Sequence, residues 1–467
     1  MSATRQLLQN HRPSAEPLRV LSASGQLGFG IPEPALARGM AQRPHFIGCD
    51  MGSIDPGPFY LGSGEMAAPV QMVRRDLALV LLAARKADVP LIIGSAGTAG
   101  AAPQLAATVA LLRDIAHEHG LDFRLCTVAS DVPAPLLAQA LAAGQLQPIG
   151  PMPAPTASEV LACTHIVGQC GVETLQRALR EWPDVLVAGR CCDTAIFAAL
   201  PMMLGYPAGI SLHMAKIVEC TSLCCQPSGR DAMLATLTLH DFTLESMNPD
   251  AHATPASVAA HALYEQSDPF TVEEPSGSLL LQEARYEALD AHRTRVSGAG
   301  FAPRARPSLK IEGAARVGAR VVLLAGVADP LLLSCLPQAL AAVEDRVRAL
   351  LPGDWTLHSH CYGQGAVRSL DDDQRSTHEA GLVLEFIADT SALARTAAGV
   401  FKQNLLHYSY PGRLSTGGNL AFAFTPSELD AHDAYRFVLY HVMQDAPLDD
   451  IFRIECQAIQ GSMPKPH

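Results

Sequence analysis

Short apolar runs alternate with alanine- and leucine-rich stretches over the first two hundred residues. The runs are LRVLSAS (18–24), HFIGCD (45–50), PLIIGSAG (90–97), FRLCTVAS (123–130), THIVGQCG (164–171) and DVLVAGR (184–190). Each is too short for an ordinary helix and stops at glycine or small residues, so each predicts a strand. Stretches 76–87, 104–119 and 135–143 are helical in character and lie between them. Strand alternating with helix predicts a parallel sheet clothed on both faces. The expected layout is a polar N-terminal arm at 1–17 and an α/β domain at 18–205.

Beyond residue 205 the alternation fades. A helical segment (211–225) leads to a β-prone run (234–244), a helix (256–266) and a turn-rich, charged stretch (276–310). A helix (333–351), the strand WTLHSHCYG, a strand and helix at 382–404 and a glycine-rich segment follow. This predicts a second, mixed α+β domain over 206–467.

In parallel sheets, ligands bind beyond the carboxyl ends of the strands, and the chemistry-bearing residues cluster there. Asp50 ends the second run, and GSAGTAG (94–100) ends the third. In the latter, Gly94, Ser95, Gly97 and Thr98 suggest a loop whose amides and following helix N-terminus cradle an anion. The spacing fits neither a dinucleotide fingerprint nor a P-loop. The sixth run ends in Arg190-Cys191-Cys192-Asp193. Arg190 offers a planar fork for a carboxylate or phosphate, Asp193 stands where it can cap a helix, and the cysteines read as small buried fillers.

In LHMAKIVEC, helical spacing puts His213 and Lys216 on one face with Glu219 beside Lys216, a set suited to acid–base work. Lys310 and Glu312 alternate on a strand and are expected to pair. Asn419, in RLSTGGN, sits in a loop of the kind that closes over a ligand. The cluster Cys220, Cys224, Cys225 and the same-face pair His358, His360 lack the further ligands a metal needs, so no metal site is expected.

Composition narrows the classes. The chain has 467 residues, 48% of them hydrophobic, with a formal charge of -12. That balance argues against nucleic-acid partners, and no apolar stretch is long enough for a membrane span. The N-terminus lacks a signal-peptide core, which predicts a cytoplasmic protein.

The motifs together resemble the acyclic terpene utilisation family named for AtuA, whose bacterial members degrade branched or carboxylated acyl compounds. IIGSAGTAG, VLVAGRCCDTA, HMAKIVEC, TPASVAAHALYEQSDP (254–269), LKIEGAARVGAR with GVADP, and YPGRLSTGGNLAFAFTPSEL carry the resemblance. It implies that Arg190 and Asp193, rather than the cysteines between them, carry the meaning of their motif. It also implies a small ferredoxin-like α+β module, expected here as a separate partner subunit. The expected function is a lyase, hydratase or isomerase acting on a small di- or tricarboxylic acid or its CoA thioester, as a homo-oligomer without cofactor. The alternative is a non-catalytic acyl- or CoA-binding subunit that works with the small partner.

Overall fold

The structure, a computed structural model, describes residues 1–263, 268–368, 371 and 377–461. The chain divides into two compact units: Met1–Ala315 with Phe437–His467, and Arg316–Arg436. The expected boundary at 205/206 coincides with neither junction. The reason is visible in the first unit, where strands formed after residue 205 join the same sheet as those formed before it.

That sheet has ten strands: β1 (Leu18–Ser24), β2 (Phe46–Asp50), β3 (Leu91–Gly94), β4 (Phe123–Ala129), β5 (Val185–Ala188), β6 (Met233–Leu237), β7 (Asp241–Ser246), β8 (Arg285–Ala288), β9 (Arg293–Ser297) and β10 (Arg453–Ile459). Their order is β8-β9-β7-β6-β1-β2-β3-β5-β4-β10. β1, β2, β3, β5 and β4 form a parallel centre. β6 adds to β1 antiparallel, and β10 adds to β4 antiparallel. The last pairing sets Cys126 opposite Cys456, and these two are disulfide-bonded.

The central strands are apolar throughout because both faces are covered. Val20, Ile92 and Leu186 join one core, while their neighbours Leu21, Ile93 and Val187 join the other. Helices Val70–Ala87 and Ala102–His119 supply the second core, and helices Asp193–Leu204 and Ala208–Val218 the first. From Thr194 to Pro201 the Asp193–Leu204 helix is wholly buried, so it shows no polar stripe in the sequence.

Two elements depart from expectation. THIVGQCG does form a strand (Cys163–Gly168), but it pairs antiparallel with Ile311–Ala315 instead of joining the parallel sheet. The run 234–244 is a hairpin of β6 and β7 rather than one strand. Of the motif at 254–269, residues 264–267 lie outside the described residues.

The second unit has its own core, built from Val321, Leu336, Trp355, Phe386 and Phe401 among others. The chain enters it along the strand Ser308–Val327, then makes the helix Leu336–Leu350, strands Trp355–Tyr362 and Ala380–Ala388, the helix Ser391–Leu406, and leaves along the strand Glu428–Gln444. In the order of that list the four strands lie 2-3-1-4 in the sheet. A β-α-β-β-α-β chain with this order is the ferredoxin-like arrangement. The second unit is therefore a ferredoxin-like module within this chain. Its first and last strands are continuous runs of 20 and 17 residues that extend past the unit, which hid it in the sequence. No helix among the described residues is long and apolar enough to cross a membrane.

Candidate functional site

A cleft of about 430 Å³ opens in the first unit, lined by Gln169, Arg190, Asp193, Thr194, Lys216, Glu219, Glu274, Lys310 and Tyr440 among others. A narrower recess of about 220 Å³ reaches Asp50, Gly52 and Arg230, and shares Ser53, Asp55, Asp193 and Glu219 with the cleft. Asp193 and Glu219 thus stand in a wall common to both spaces.

Arg190 follows β5 and is almost fully buried. Its Nε donates to Glu312 Oε2 at 2.8 Å and its Nη2 to Glu312 Oε1 at 3.3 Å. Nη1 donates to Ser95 Oγ and to the Cys191 carbonyl. The fork expected to hold a substrate carboxylate holds Glu312 instead. Lys310 Nζ lies 3.1 Å from Glu312 Oε1, as the alternation on its strand predicted, and sits over the Tyr440 ring. Burial would raise the Glu312 carboxyl, but Arg190 and Lys310 outweigh it and hold the group below its ordinary value. A buried carboxylate between two cations is a brace, and it leaves Lys310 with donors to spare.

The GSAGTAG loop packs against this brace and is buried along its length. Four of its amides are spent internally: Ser95 donates to the Gly189 carbonyl, Ala96 to Ala188, Thr98 to Ser95 and Gly100 to Ala96. At the start of the next helix, Ala101 donates to the Gln104 side chain and Ala102 to Asp131. An aspartate therefore occupies the place foreseen for a bound anion. Gly100, at φ +71°, is required because a Cβ there would lie 2.0 Å from the Arg190 nitrogen. Gly94, Ser95, Gly97 and Thr98 line neither space, and of the four Ser95 bonds Arg190.

Lys216 and Glu219 belong to the end of the Ala208–Val218 helix and its C-cap, and Nζ donates to Glu219 Oε1 at 2.6 Å. Burial pushes Glu219 up to about 8 despite this partner. Burial also works against the Lys216 charge, yet Glu219 outweighs it and Lys216 lies above the ordinary lysine value. The ammonium stays charged and Glu219 is the group that titrates, because Asp193 and Glu274 crowd it with like charge. Glu274, bonded to Thr194 Oγ1 at 3.0 Å, is pushed by burial up to about 7. Asp50 is raised by burial and then by Asp193; Asp193 is raised by desolvation against the pull of Arg190. Asp50 Oδ1 and Asp193 Oδ1 are buried without a hydrogen-bond partner, two acceptors open to a donor.

Three placements differ from expectation. His213 is not beside Lys216 in the cleft: it is fully buried, bonded to Tyr286 Oη at 3.1 Å and packed on Phe242, and burial lowers it to about 3. Every residue from Gly209 to Val218 is buried, so the helix has no single functional face, and His213 and Lys216 go to different neighbours. Asp193 is the first helical residue rather than the cap; Cys192 takes the cap position, and Asp193 Oδ1 lies 3.7 Å from Arg190. Asn419 lies in the second unit, donating to the carbonyls of Leu405 and Tyr408 just past a helix end. Cys191 is buried and Cys192 nearly so, and burial raises both thiols well above the ordinary range. Sequence reasoning missed Glu274 and Tyr440, which carry no local motif. Glu312 was visible only as the partner of Lys310.

Residues 71–222 match the model of a family described as acyclic terpene utilisation family protein AtuA. The matched segment contains the GSAGTAG loop, Arg190, Asp193, Lys216 and Glu219, but not Asp50, Glu274 or Lys310. No curated protein and no solved structure matches the chain.

Proposed function

From the premise that the chain is AtuA-like over residues 71–222, we propose that the cleft of the first unit moves a proton on a small carboxylic acid or its CoA thioester. The reaction is of lyase, hydratase or isomerase type, in the cytoplasm. The observation that carries this reading is the buried Lys216–Glu219 pair in the wall between two spaces, with Glu219 raised to about 8. A carboxyl tuned towards neutrality is suited to take up and return a proton at working pH. Lys310 and Lys216, each with donors beyond the one used on its glutamate, meet the substrate carboxylate and the charge that develops beside it. The open oxygens of Asp50 and Asp193 accept from a substrate hydroxyl or from the water that adds or leaves. Arg190, braced by Glu312, orients the wall.

The test is proton exchange. The purified chain is incubated in deuterated water with a panel of di- and tricarboxylic acids and their thioesters, and proton NMR follows the carbon next to the carboxyl. Exchange or conversion of at least one compound supports the enzyme. Saturable binding without exchange supports the rival reading, a subunit that holds an acyl ligand for a partner.

A further inference from the structure

We propose that His11, Glu16 and His45 form a site for one borderline divalent ion, zinc by preference, which clasps the N-terminal arm to the sheet. His11 Nδ1 lies 3.4 Å from Glu16 Oε1, and His45 Nε2 lies 3.6 Å from the same oxygen. The three ligand atoms all fall within 4.8 Å of one another, and no other such group of three occurs among the described residues. These separations are long for hydrogen bonds. They suit neighbours on one tetrahedral ion, because metal bonds of ~2.0–2.1 Å set adjacent ligands ~3.3–3.4 Å apart.

The hydrogen bonding around His11 points the same way. The ring is only 4% exposed, and its Nδ1 is buried without a hydrogen-bond partner. Its Nε2 meets Tyr206 Oη at 2.9 Å, and that hydroxyl donates to the Glu16 carbonyl. With its proton on that carbonyl the hydroxyl accepts from His11 Nε2, and in that tautomer the Nδ1 lone pair lies beside the Glu16 carboxylate. Two acceptors face each other, and a cation between them resolves the conflict. The Nε2–H to hydroxyl contact is the outer support that metal-bound histidines use.

His45 demands one local change. The Arg19 amide donates to its Nδ1 at 2.9 Å, so the ion-free ring carries its proton on Nε2. An ion taking Nε2 moves that proton to Nδ1 and breaks the Arg19 bond. The donor set, two imidazoles and a carboxylate with room for water, suits zinc or cobalt and not magnesium. His45 precedes β2, whereas Asp50 ends it. The site thus lies at the opposite end of the strands from the cleft, which makes it structural: it ties the helix Ala3–Asn10 and the segment after it to the first two strands.

The test uses the full chain after chelator treatment and desalting. Zinc is expected to bind at one ion per chain and to raise Tm, while magnesium does neither. Cobalt should give a tetrahedral visible spectrum without a thiolate charge-transfer band, which separates this site from the cysteines. Glu16→Gln, at a half-exposed position, should fold normally and bind zinc at least tenfold more weakly; His45→Gln should do the same and lose the Tm rise. Absence of stoichiometric zinc, a thiolate band, or equal affinity in wild type and Glu16→Gln would overturn the proposal.

Discussion

Arg190 shows how one side chain reads differently with and without its partner. A fork at a strand end suggested an anion site, and its anion is Glu312, 122 residues away in sequence. Nothing local in GRCCDTA could reveal that. By contrast, the Lys310–Glu312 pair was legible, because a period of two places both on one side of a strand. Glu312→Gln should leave Arg190 buried with a weakened partner and lower stability by about 3–5 kcal/mol. The urea midpoint of the variant measures this, and an unchanged midpoint would mean the brace is ornamental. Cys191→Ala with Cys192→Ala should retain fold and proton exchange, since both thiols are buried fillers.

At the level of elements, strand positions were legible because apolar runs on a doubly covered sheet need no partner to be recognised. β1 runs over Leu18–Ser24 as its pattern predicts. Loop function was not legible, because an amide offered to a ligand and an amide spent on the next strand have the same sequence. The GSAGTAG loop spends four of its amides within the fold. Gly100→Ala should cost more than about 2 kcal/mol, combining an unfavourable φ with a clash against the Arg190 backbone. The same reasoning separates His213 from Lys216. His213→Asn should lower stability and leave the kcat of exchange nearly unchanged, whereas loss of exchange at unchanged stability would place His213 back in the chemistry.

Over the whole molecule, the second unit's ferredoxin-like topology emerged only from strand order, which no periodicity encodes. The cleft has a global consequence that can be signed. Glu219 and Glu274 are raised from 4.5 to about 8 and about 7. At these two groups the folded state holds protons that the unfolded chain has already released, a contribution that falls as pH climbs from about 4.5 to about 8; His45, His213 and His261, lowered by burial to about 4, about 3 and about 4, contribute the opposite way below about pH 6.5. Glu312, shifted the other way, adds stability only above its lowered value and does not reverse that trend. Above about pH 7 these histidines are neutral in both states, so chemical unfolding at about pH 7 and about pH 8 should show the higher midpoint at the lower pH.

The central claim is that Glu219 carries the proton. The most direct measurement is the pH profile of deuterium exchange, as kcat/KM, for the wild type and Glu219→Gln on whichever acid the chain exchanges. With Glu219 as base, the wild-type rate should rise through an apparent pKa of about 8. Glu219→Gln should lose that limb and drop by about 10²–10⁴-fold, while ligand affinity is largely kept. A variant that exchanges at the wild-type rate with the same pH limb would contradict the account.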